Sequence, residues 1–136
     1  MKFGIKRLVL AGLLISSTSL FGITPLNQMK QYLKQARAGT INWKKISTLG
    51  PKFKPVINVG DQYGVTLLMF AASPVGQQTP QLYQDTEAAA HYLVETLGAD
   101  KSIKSDFGNG TGWTASQYAT NAVRPKLAVY LLQKSN

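Results

Sequence analysis

His91 and Glu95, four residues apart in TEAAAHYLVETLG, are the first residues whose types and spacing can do chemistry. On a helix this spacing brings the two side chains together, the arrangement by which a carboxylate orients an imidazole for proton transfer. A nucleophile beside the pair is not evident, and HExxH, GxSxG and P-loop patterns do not occur. A partly buried packing role accounts for His91 better, as it lies inside a helix. Asp100 and Asp106 flank a turn and carry the right atoms for a cation, but no adequate oxygen-ligand set surrounds them. FGNGTG, residues 107–112, has the glycines of a phosphate cradle without its lysine or its strand-loop-helix setting. With no cysteine in the chain, thiol catalysis, disulfides and cysteine-based zinc sites are excluded. The expectation is a protein that is not an enzyme and uses no cofactor.

The elements that would carry these residues are helical. LNQMKQYLKQARAG, residues 26–39, spaces Leu26, Met29, Tyr32, Leu33 and Ala36 along one helix face and stops at Gly39. INWKKISTLG predicts a second short helix with Trp43, Ile46 and Leu49 facing inward, and the two prolines of PKFKP, residues 51–55, predict a break. DQYG is a turn, and TLLMFAA, residues 66–72, reads as a buried helix. SPVGQQTPQLYQD, residues 73–85, reads as a loop, and the next helix is expected to be capped by Thr86 and closed by Gly98. WTASQYATNA and RPKLAVYLL give two more helices, the second with Pro125 in its first turn.

Short helix, longer helix and glycine-rich turn recur, and such a period marks a repeat architecture. DQYGVTLLMFAA resembles the opening of an ankyrin repeat, D-x-x-G-x-T-P-L-H-x-A-A. Asp61, Gly64, Thr66, Leu68, Ala71 and Ala72 stand on the matching positions, and Leu67 and Met69 replace the usual Pro and His. HYLVETLGAD is similar to the outer helix and G-A-D turn, with Leu93, Val94, Gly98, Ala99 and Asp100 in register. Gly112, Thr114, Ala115 and Ala119 open a further unit, and Ala36 and Gly39 belong to a degenerate first one. The resemblance implies an all-α, ankyrin-type solenoid of about three units, near residues 26–60, 61–105 and 106–136. Small Ala71, Ala72 and Ala119 would let inner helices stack, and Leu93, Leu97, Val129 and Leu132 would fill the layer beneath the outer helices. Between Ser73 and Thr86 the chain runs about eleven residues beyond a 33-residue unit, an insertion at the surface.

In this reading finger tips carry Gln62, Tyr63 and Val65 in one unit and Phe107, Asn109 and Trp113 in the next, as candidate protein-binding residues. Residues 1–24 have the order of a secretory signal: Lys2, Lys6 and Arg7, an apolar run over 8–15, then small and polar residues. The alternative is an uncleaved anchor to the inner membrane, for which residues 8–23 fall short of the roughly 20 apolar residues a span needs. The remaining 25–136 fit one domain, periplasmic or secreted and monomeric. Seven cations and no acid lie between Pro25 and Gly60, a distribution that reads first as a solvated face and also suits weak contact with an anionic membrane surface. No nucleic acid is expected as a partner, because no recognition motif accompanies the charge. Three roles compete: a protein-binding module, including an immunity-type inhibitor of an envelope enzyme; an enzyme using His91 and Glu95; and an electrostatic adhesin acting through residues 30–54.

Overall fold

The computed structural model describes residues 18–19, 21–106 and 112–133. Most of the segment read as an export signal, residues 1–17, therefore lies outside the described residues. Apart from a two-residue pairing of Thr18–Ser19 with Phe21–Gly22, the regular elements among the described residues are helical, and the fold is all-α. These are α1 (Pro25–Ala38), α2 (Trp43–Ile46), α3 (Leu67–Ala72), α4 (Pro80–Glu95), α5 (Ala115–Asn121) and α6 (Pro125–Leu132). α1, α3 and α5 pack in succession, α2 lies against α4, and α6 doubles back onto α5. Among the described residues no helix is long and apolar enough to cross a membrane.

Threonine starts four of the six helices. The hydroxyls of Thr24, Thr66, Thr79 and Thr114 each accept a hydrogen bond from the backbone N–H three residues on, satisfying a donor that the helix itself leaves free. In α3 and α5 the cap is reciprocal. The Thr66 N–H donates to Met69 Sδ at 3.4 Å, and the Thr114 N–H to Gln117 Oε1 at 2.8 Å. Every residue of α3 is buried, as befits a helix sandwiched between α1, α4 and α5. Ala71, Ala72 and Ala119 have no exposed surface, and their small side chains let the backbones of α3 and α5 approach.

The sequence expectations need correction at four places. Pro51–Val56 is a 3-10 helix rather than a break, because each ring's fixed φ suits the tighter helix and its missing N–H leaves few bonds unmade. α4 begins at Pro80 behind Thr79, so the loop shrinks to residues 73–79 and most of the extra length is helix. Thr86 is not a cap. It is buried within α4, where its hydroxyl donates to the Leu82 carbonyl at 2.8 Å. Val129 and Leu132 are exposed; Leu127, Ala128 and Leu131 make the buried face of α6 instead.

A buried arginine ties these helices together. Arg124, between α5 and α6, sends Nη1 to the carbonyls of Ala71 at 2.8 Å and Ala72 at 3.2 Å, and Nη2 to that of Tyr83 at 3.0 Å. It thus caps the C-terminus of α3 and grips α4 at once, with its guanidinium over the Tyr83 ring. Desolvation lowers its pKa. Val123, at φ 59°, makes the left-handed turn that aims this side chain inward, an unfavourable conformation for a β-branched residue.

Arg124→Met is expected to destabilise the fold by about 2 kcal/mol or more, since it strands buried carbonyls. Arg124→Lys should recover only part of this, as one ammonium lacks the fork that spans two helices. Val123→Gly should stabilise by about 0.5–1 kcal/mol by removing the left-handed strain. Urea unfolding of the three variants measures all of these.

Candidate functional site

The site is built on the Asp61 turn. The Asp61 carboxylate accepts from the N–H groups of Tyr63 and Val65 through Oδ1, at 2.9 and 3.1 Å. Backbone bonds from Asp61 N–H to the Val65 carbonyl and from Gly64 N–H to the Asp61 carbonyl close the loop. Gly64 sits at φ 72°, and a Cβ there would stand 2.8 Å from the Asp106 nitrogen. Oδ2 of Asp61 faces α1, where Arg37 meets it with Nε at 2.8 Å and Nη2 at 2.7 Å. The Arg37 guanidinium also lies 4.8 Å from the Tyr63 ring centre and 5.2 Å from that of Phe70.

The next turn is docked on this one. The Asp106 N–H donates to the Tyr63 carbonyl at 2.8 Å, and Ser105 exchanges bonds with Trp113 through its N–H and its hydroxyl. A Cβ on Gly112 would collide with the Ser105 carbonyl, so this position requires a glycine. Of the expected binding residues, Gln62 and Tyr63 stand exposed at the first tip, Tyr63 at 44%. Val65 does not join them: at 5% exposure it is core, pointing inward beneath the turn that its backbone closes. Trp113 is partly exposed, with its ring edge-on to Tyr118 at 5.4 Å. Phe107 and Asn109 lie outside the described residues.

Between α1 and the turn runs a groove of about 680 Å³, lined by Lys30, Leu33, Lys34, Arg37, Asp61 and Gln62 among others. The basic run was legible in the sequence. That Lys30, Lys34 and Arg37 share a groove with Gln62 was not, because it depends on how α1 docks. The i, i+4, i+7 spacing of the three cations was the available signal.

His91 and Glu95 form the expected pair, Nδ1 to Oε2 at 3.1 Å, on the outer face of α4. The His91 ring stacks on Tyr130 of α6 with centres 3.9 Å apart, and the Tyr130 hydroxyl donates to the same Glu95 oxygen at 2.6 Å. The Tyr130 and His91 hydrogen bonds hold the Glu95 carboxyl below its ordinary pKa, while burial and the Glu95 carboxylate push the Tyr130 hydroxyl up. The cluster joins α4 to α6. Asp100 accepts from the N–H and hydroxyl of Ser102, which lower its pKa, and its own N–H donates to Asn58. Among the described residues no three His, Asp or Glu side chains gather as a metal site. No protein-family profile, curated protein sequence or solved structure matches this chain.

Asp61→Ala is expected to cost about 2–3 kcal/mol in chemical unfolding, and Asp61→Asn less, because the amide oxygen still accepts from the turn. A lowered Glu95 pKa means stability that is complete above the ordinary value of 4.5 and lost as pH falls through the folded value. Tyr130→Phe removes the largest cause of that shift. Its melting temperature should therefore fall less steeply than the parent's on acidification over roughly pH 5 to 3.

Proposed function

We propose that this chain is an exported ankyrin-type protein of about three units that acts by binding another protein, and that it is not an enzyme. The solenoid reading is supported by the recurrence of local physics at equal spacing. Gly64, Thr66 and Ala71 return as Gly112, Thr114 and Ala119, each set serving as close-approach glycine, helix cap and buried contact. The succession of α1, α3 and α5 behind one another and the backbone bond between adjacent turns suit a stacked array. Export rests on the order of charge and hydropathy in residues 1–24.

The observation that carries the binding role is the turn that presents Gln62 and Tyr63. An exposed aromatic ring on a turn tied by its own aspartate, by Arg37 and by the neighbouring turn is held in place before any partner arrives. Such preorganisation reduces the entropy lost on association, and tyrosine is a frequent interface anchor. The pairing of His91 and Glu95 with Tyr130 is accounted for as a link between α4 and α6.

The test is capture from envelope and medium fractions on the immobilised mature chain, at low and high salt, beside a Tyr63→Ser variant. One protein retained by the parent in high salt, and lost by a variant whose circular dichroism is unchanged, is the expected result. Capture indifferent to Tyr63 would overturn the turn as the binding site.

A further inference from the structure

The groove between α1 and the Asp61 turn has a chemistry of its own. Lys30, Lys34 and Arg37 stand at i, i+4 and i+7 along its α1 wall, and no acid occurs among residues 25–60 to neutralise them. Asp61, on the opposite wall, is committed to Arg37. Lys30 and Lys34 form no ion pair among the described residues, so the groove is lined by two uncompensated charges above the apolar edge of Leu33 and Ala38.

Building on the protein-binding reading, we propose that this groove receives an extended acidic segment of the partner, with carboxylates at alternate positions facing Lys30 and Lys34. The spacing carries the register. Four residues of helix rise about 6 Å, and two residues of extended chain advance about 6.6 Å, with side chains i and i+2 on the same side. An acid-x-acid segment laid along α1 therefore meets both lysines, whereas adjacent acids point to opposite faces and satisfy one. Gln62, on the far wall, offers an amide to the backbone of such a segment. A bilayer is a poorer match, because a flat surface cannot enter a recess walled by α1 and the 60–62 segment.

The experiment uses the mature chain and two short fluorescein-labelled peptides of identical composition. One has a glutamate–serine–glutamate core flanked by leucines, and the other has its glutamates adjacent. Fluorescence anisotropy at low salt is expected to show the alternating peptide binding about tenfold more tightly. Lys30→Gln/Lys34→Gln should abolish that preference, and Lys52→Gln/Lys54→Gln, which leaves the groove intact, should keep it. Equal binding of the two peptides, or equal loss in both double variants, would overturn the proposal in favour of diffuse charge. Binding to phosphatidylserine vesicles that the Lys30/Lys34 variant loses, without peptide preference, would overturn it in favour of a lipid surface. Retained high-salt capture through Tyr63 alongside failure of the peptides would leave the protein-binding role standing and remove only the groove's part in it.

Discussion

The guanidinium of Arg124 is the constraint on which the helical packing rests. α3 is six residues long and ends inside the protein, where its last carbonyls can find neither water nor a following turn. Arg124 supplies their donors from the junction of α5 and α6, and its other arm reaches the first turn of α4. A carboxylate in that position would have made an ion pair. Three carbonyls spread the charge over two helices, and α3, α4 and the α5–α6 pair become mutually dependent. Short helices that are marginal alone are held by this kind of tertiary bond.

A second constraint acts at the turns. The Asp61 carboxylate serves its own loop through one oxygen and α1 through the other, so the turn is fixed both internally and against its neighbour. The backbone bond from Asp106 to Tyr63 repeats the logic between this turn and the next. The exposed Tyr63 ring owes its position to these bonds and to the Arg37 guanidinium beside it. The same bonds require glycine at position 64, where both φ and the nearness of Asp106 exclude a side chain.

The sequence was most readable where one residue type answers one physical need. Gly64, Ala71 and Ala119 could be placed because turn and close contact each narrow the choice sharply, whereas the cap expected at Thr86 lies at Thr79 instead, and Thr66 is a cap as well. The start of α4 was hidden by the glutamines and prolines around it, although Thr79 followed by Pro80 is an ordinary helix opening. Arg124 was invisible, since an arginine reads as solvated until its buried acceptors are known. Val65 lay next to exposed residues in a turn, and only the bend of the backbone decides which side chain turns inward. Val129 and Leu132 have the hydropathy of core residues but lie on the outward side of the last described helix, where no described element covers them.

Charge is unevenly distributed along the chain. Residues 25–60 hold seven cations and no acid, while residues 61–136 hold five cations and six acids. α1 and α2 belong to the first group and α4 to α6 to the second, so positive charge is concentrated on the first of the packed helices. Uneven charge of this kind turns a protein in the field of an acidic body before contact, so that its basic side leads. Such orientation raises the rate of any encounter through charges that need not touch the other body at all.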